Sequence, residues 1–278
     1  MGNSREPKEG FPPESAGLAT RRRRFAIARK SGVVESGAMK RLCCTRYELV
    51  ARKQGWMRIC GLDEAGRGSL FGPVVAAAVV LNPRRRIVGL DDSKKLSAER
   101  RAELAPRIRE HALAWAVAEV DASRIDAWNI HQASRQAMMT ALANIRPAPD
   151  YLLLDAFGLP EVPIEQKALI HGDARSVSIA AASILAKVER DRRMDEFAEL
   201  YPQYGLATNR GYGTPDHLEA LRRYGPTPLH RFSYAPVRES RCWAVNATQE
   251  ALPLKAGAAP ETPGANSLAD SLKQSTRP

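Results

Sequence analysis

Apolar and polar positions divide the chain into short elements separated by glycine- and proline-rich breaks. Residues 46–56 predict a short helix ending near Gly55, and strands follow at about 58–64 and 73–81. Arg84-Arg85-Arg86 reads as turn surface, and Ser97 is placed to cap a helix over 98–110. Ala112 to Val120 alternates as a strand does. Residues 123–145 carry Ile125, Ile130, Met138, Leu142 and Ile145 at helical positions, as one or two helices stopped by Pro147 and Pro149. Tyr151 to Asp155 is a continuous apolar run, the pattern of a strand buried on both faces. A short strand is expected near 167–170. A long helix is expected over about 176–200, with Asp173 opening it and Val177, Ala181, Ile184 and Val188 at helical spacing. Its small residues, IAAASILA, permit close packing on a sheet. Thr214 and Pro215 cap and start a last helix over 215–224. The order, β-β-α-β-α-β-(β)-α-α, predicts an α/β fold.

Charge changes this picture at the ends. The formal net charge is +11, which suggests a polyanionic partner, but residues 1–58 carry +9 of it and residues 59–278 only +2. Residues 1–45, with the run Arg21 to Arg24, read as a disordered basic arm with electrostatic affinity for nucleic acid. Residues 46–240 read as the folded domain, and 247–278, rich in Ala, Pro, Ser and Thr, as a disordered tail. Cys43, Cys44, Cys60 and Cys242 form no C-x-x-C pair and suit reduced thiols in a cytoplasmic protein. No apolar run approaches the ~18 residues of a membrane span, and no secretory leader is expected at the N-terminus.

Candidate chemistry concentrates at Asp63 and Glu64, which end the first apolar strand. Adjacent carboxylates repel unless neutralised, and hard oxygen ligands suit Mg²⁺ or Mn²⁺. Asp155 ends a buried strand, where an unpaired carboxylate is costly. An open α/β sheet gathers strand ends along one edge, so Asp63, Glu64, Asp155 and Asp173 are expected to meet there around two metal ions. Such a site stabilises both the entering and the departing oxygen of a phosphodiester displacement. Gly66-Arg67-Gly68 places a guanidinium fork between two residues that let a ligand approach the backbone. No P-loop and no nucleophile elbow is present in the sequence.

The motifs GLDEAGRGSLFGPVV, DDSKKLS, LLLDAF, GDARSVSIAAASILAKVERDRRM, YPQYG and GYGTPDHLEAL occur in that order across about residues 46–240. In this the chain resembles bacterial ribonuclease HII. The resemblance implies a ribonuclease H-like mixed sheet flanked by helices, with a C-terminal helical segment. It implies cleavage of the RNA strand of RNA–DNA hybrids, and nicking 5′ of single ribonucleotides in duplex DNA to leave 3′-hydroxyl and 5′-phosphate ends. Mn²⁺ or Mg²⁺ would be the cofactor and the protein a monomer. Carried over by motif, Asp63, Glu64, Asp155 and Asp173 are the catalytic metal ligands. Gly66, Arg67 and Gly68 read the ribonucleotide–deoxyribonucleotide junction, Tyr212 stacks on the deoxyribose beyond it, and Lys94 and Lys95 contact phosphates.

Three features depart from the family pattern. Asn209-Arg210 stands where the family has His-Lys, Ser69-Leu70-Phe71 replaces Pro-Leu-Ala, and the arm and tail lie outside the resemblance. Lys187 reads equally as structural or phosphate-facing, and His217 and His230 as structural. Two rivals stay open at this point: the sister enzyme ribonuclease HIII, which has Gly-Thr-Gly in the junction loop, and a non-catalytic nucleic-acid-binding protein acting through its basic arm. The acidic set opposes the second, because carboxylates beside a polyanion serve no purpose in simple binding.

Overall fold

The computed structural model describes residues 43–240. The tail at 247–278 and all but the last three residues of the expected arm lie outside them. Of those three, Cys44 forms a bridge to Ser176 and Thr45 precedes the first helix. The elements begin with α1 (Arg46–Lys53), β1 (Ile59–Ala65), β2 (Val74–Leu81), α2 (Ala98–His111) and β3 (Ala112–Val120). Next come α3 (Ala122–Trp128), α4 (Ile130–Asn144), β4 (Tyr151–Asp155), β5 (Glu165–Leu169) and α5 (Val177–Leu200). The segment after α5 holds α6 (Leu206–Asn209) and α7 (Pro215–Tyr224). The expected caps form at Ser97 and Thr214, whose hydroxyls accept from the third N–H beyond them in α2 and α7, and Ser176 does the same for α5. No helix among the described residues is long and apolar enough to cross a membrane.

The five strands form one mixed sheet in the order β3-β2-β1-β4-β5. β1 runs antiparallel to β2 and parallel to β4. Strand alternation sends successive residues to opposite faces. Cys60, Leu62, Ala76, Ala78, Val80, Leu152 and Leu154 pack against Ile125, Ala137 and Met138 of α3 and α4. Ala77 and Val79 pack instead on α2 and the small residues of α5. At the C-terminal end of α5, Phe71, Met194, Tyr204, Leu206 and Leu221 build a further cluster under the C-terminal segment.

On the α5 face, β1 comes into backbone contact with the helix at Gly61. A Cβ there would lie 2.1 Å from the Ser178 carbonyl carbon and oxygen, so no side chain fits. Glu48 of α1 fastens the same place, its Oε1 accepting from the Ser176 hydroxyl at 2.5 Å and the Ser178 N–H at 3.0 Å. Gly61→Ala should therefore cost about 3 kcal/mol or more, the upper end of overpacking, because it is backbone that would have to move. Urea unfolding tests this. Gly68→Ala, whose added methyl meets nothing closer than 3.9 Å, serves as the control and should stay within ~1 kcal/mol. Equal losses for the two variants would contradict the contact.

Candidate active site

Alternation along β1 and β4 decides which acids meet. Asp63 follows Ile59 and Gly61 onto the α5 face, and Asp155 follows Tyr151 and Leu153 there. Parallel pairing of Leu62 with Leu154 sets the two carboxylates side by side. Asp173 belongs to a 3-10 turn, Gly172–Ala174, ahead of α5 rather than to the helix itself. That turn is held by the Gly172 N–H donating to Asp155 Oδ1 at 2.6 Å. Asp63, Asp155 and Asp173 each bring one carboxylate oxygen within 4.8 Å of the others.

Glu64 points to the opposite face and pairs with Arg67 at 3.1 Å, while its Oε2 is buried without a partner. Burial raises the Asp63 pKa well above the usual carboxylate range, and Glu64 and Asp155 add to the rise. Burial likewise raises Glu64, against Arg67, and raises Asp173, where Asp155 adds and Lys94 opposes. Lys94 Nζ lies 3.4 Å from Asp173 on a largely exposed side chain, so it neutralises little. Oxygen-only donors, crowded negative charge and an orphaned carboxylate oxygen fit hard divalent cations. Ser183, which holds Asp63 down by hydrogen bonding, is 2.8 Å from Ser93 of the loop before α2.

Beside the acids, two loops meet. The Leu70 N–H donates to Gly211 O at 2.8 Å, and the Gly72 N–H to Leu229 O at 2.9 Å. Gly66 has φ +94° and no room for a Cβ, whereas Gly68 is open toward Tyr212. Tyr212 is 39% exposed. Its carbonyl lies 2.9 Å from His217 Nδ1, His217 Nε2 lies 3.2 Å from His230 Nε2, and His230 Nδ1 is reached by the Thr227 N–H at 2.9 Å. One tautomer set satisfies this chain: His217 donates from Nδ1, and His230 donates from Nε2 to the His217 Nε2 lone pair. A further proton on either ring would set two N–H groups against each other. Burial lowers His217, and burial together with His217 pushes His230 down to about 3.

The structure brings Asp63, Glu64, Asp155, Asp173, Gly66, Arg67, Gly68, Lys94 and Tyr212 to one end of the sheet. Lys95 instead pairs with Asp91 and Asp92 at 3.6 and 3.9 Å. Asn209 closes its own loop, donating to Tyr204 O and accepting from the Gly211 N–H. Lys187 pairs with Asp191 at 2.5 Å. Sequence reasoning passed over Arg190 and Arg231, both fully buried between the two loops. The available signal was spacing: Arg190 lies two helical turns beyond Ser183, on the same face of α5.

Residues 60–237 match the family model described as Ribonuclease HII. A curated Ribonuclease HII from Koribacter versatilis is 54% identical over 215 residues, covering 77% of this chain and 82% of that one. Among solved structures, the PCNA:RNase HII complex from Archaeoglobus fulgidus matches with TM-score 0.56 and 29% identity, covering 64% of this chain and 95% of that one. Bst-RNase HIII in complex with Mn²⁺ matches with TM-score 0.57 and 23% identity, over 71% and 73%, a likeness of fold.

Two outcomes follow from the charges. Asp63→Asn removes repulsion, so metal-stripped protein should melt higher, by about 2–4 °C per kcal/mol relieved, and should lose the stabilisation Mn²⁺ gives the wild type. Thermal melts in chelator and in Mn²⁺ decide; a variant that melts lower in chelator contradicts the reading. For the histidines, the folded pKa lies below the unfolded value. The unfolded chain therefore takes up protons first as pH falls; for His230 stability drops from about pH 6.5 toward 3 by up to ~1.4 kcal/mol per pH unit, and His217 acts in the same direction. Urea unfolding at pH 7.5 and 5.0 should show the drop, and His230→Asn should flatten it. An unchanged slope in the variant would oppose the assignment.

Proposed function

Since this chain belongs to the ribonuclease HII family and is a metal-dependent ribonuclease H acting on RNA–DNA hybrids, we propose that it also nicks duplex DNA 5′ of single embedded ribonucleotides, leaving 3′-hydroxyl and 5′-phosphate ends. The observation that carries this is the cluster of three carboxylates within 4.8 Å of one another, at the same sheet end as the open Gly68 and the exposed Tyr212. Asp63, Glu64, Asp155 and Asp173 would hold two Mg²⁺ or Mn²⁺ ions. When bound, such a pair supplies positive charge to the attacking and leaving oxygens of phosphodiester hydrolysis.

The chain's own groups supply the rest. Lys94, beside Asp173, contacts a phosphate near the acids, and Lys95 lies outside that contact. Arg67 offers its fork to the backbone. The Arg67 carbonyl is already taken by Arg231 and Tyr234. Recognition of the 2′-hydroxyl, donor and acceptor at once, thus falls to the remaining backbone groups of the loop, where Gly68 leaves space. Tyr212 presents a ring for the deoxyribose on the DNA side. Residues 46–240 act as the catalytic unit of a monomer, and the basic arm at 1–45 adds salt-sensitive affinity for nucleic acid.

The test is a DNA duplex carrying one ribonucleotide. Wild-type protein with Mn²⁺ or Mg²⁺ should cut it once, on the 5′ side of the ribonucleotide. Asp63→Asn should fall below about a tenth of that rate, since losing a ligand removes several kcal/mol of transition-state stabilisation. Cleavage confined to long hybrids, or a cut 3′ of the ribonucleotide, would overturn the proposal.

A further inference from the structure

Two guanidinium groups lie buried behind the junction loops with no carboxylate to answer them. Arg190 and Arg231 are both 0% exposed. Arg231 donates to Gly72 O at 3.0 Å, Arg67 O at 2.9 Å and the Tyr234 hydroxyl at 3.1 Å. Arg190 donates to Arg210 O at 3.0 Å and, more weakly, to Phe71 O at 3.4 Å. Neither makes an ion pair among the described residues, and Arg190 Nε and Arg231 Nη2 are buried without a hydrogen bond. Burying a charge this way costs several kcal/mol, and an apolar side chain would fill the same volume without that cost. Stability alone therefore does not account for them.

Arg190 is the one that touches both recognition loops. Its guanidinium carbon stands 5.4 Å from the centroid of the Tyr212 ring. Its Nε and Cδ occupy the place where a Gly66 Cβ would be, 1.9 and 2.4 Å from that point. Its Nη1 holds the carbonyl of Arg210, two residues before Tyr212. A planar fork can face an aromatic ring and still donate in its own plane to carbonyls on either side, and a lysine ammonium cannot. The Tyr212 ring is left with its inner side on a cation and part of its surface in solvent.

We propose that Arg190 is a positioning residue that locks the Gly66–Gly68 loop to the Tyr212 ring, setting the distance across which the ribonucleotide–deoxyribonucleotide junction is read. This rests on the junction reading given above. It makes Gly66 a residue required by Arg190 rather than by substrate, and leaves Gly68 as the glycine that faces the nucleic acid. A uniform hybrid has no junction, so its cleavage depends less on this lock.

The experiment measures kcat/KM for wild type, Arg190→Lys, Tyr212→Ala and the double variant, on a single-ribonucleotide duplex and on a uniform RNA–DNA hybrid, alongside thermal melts. Arg190→Lys should lower single-ribonucleotide cleavage by about ten- to hundredfold and hybrid cleavage by about threefold or less, since misplacing a recognition group by ~1 Å costs about that much. The double variant should be no worse than Tyr212→Ala, because both remove one unit. Should Arg190→Lys not fold, Arg190→Gln, which keeps a planar donor without the charge, replaces it and is held to the same outcomes. Losses that match on both substrates and track the folded fraction would overturn the proposal, as would losses that multiply in the double variant. A collapsed substrate ratio in Tyr212→Ala with a wild-type ratio at position 190 overturns the role of Arg190 alone. A wild-type ratio in Tyr212→Ala overturns the junction reading and the role of Arg190 together.

Discussion

Everything at the site depends on how closely β1 approaches α5. The missing side chain of Gly61 lets strand and helix touch backbone to backbone, 2.1 Å from where a Cβ would sit. Asp63, two residues further along the same face, is thereby set against α5 near Ser183, whose hydroxyl hydrogen-bonds to it. The same helix begins beside the turn that carries Asp173 and continues under the Gly66–Gly72 loop with Arg190 and Met194. One helix thus fixes the acids at its start and the loops of Gly66–Gly68 and Tyr212 at its middle. The distance between them is set by helical rise rather than by loop conformation.

The electrostatics of the two halves are opposite and both are unfavourable alone. On one side, burial and mutual repulsion push the carboxyls of Asp63, Glu64 and Asp173 upward. On the other, Arg190 and Arg231 carry positive charge in a region from which solvent is excluded, and burial lowers the pKa of both. The two halves do not neutralise each other: among the described residues Arg67 pairs with Glu64, and neither buried arginine pairs with an acid. Divalent cations answer the first half, whereas the second is met inside the protein by the carbonyls of Arg210, Gly72 and Arg67 and by the Tyr212 ring. Such a site spends folding stability on charges held in fixed places.

Much of the fold was legible because each signal was local. Ser97 and Thr214 cap the helices they precede, and the apolar runs at 74–81 and 151–155 became strands buried across the sheet. The acids were legible for the same reason, since Asp63, Glu64 and Asp155 end strands that must be buried. What escaped was tertiary. Nothing local separates Lys94, which reaches Asp173, from Lys95, which turns to Asp91 and Asp92. Asp173 reads as the start of a helix, yet His171 adopts φ +54° and a 3-10 turn intervenes. Arg190 sits in a charged run, ERDRRM, that carries no local signal of burial. Its burial follows only from the C-terminal segment, whose cluster with Phe71, Tyr204 and Leu221 closes over that part of α5.

The parallel pairing of β1 with β4 also governs the chain as it is made. Asp63 is synthesised about ninety residues before Asp155, several seconds or more at ~5–20 residues per second. Until β4 emerges and docks, β1 has only its antiparallel neighbour, and the acidic triad does not exist. A nascent chain of this protein therefore spends that interval among ribosomal and messenger RNA before its three carboxylates can come together. The order of strands in the sheet delays the acidic cluster until β4 and the turn that carries Asp173 have left the ribosome.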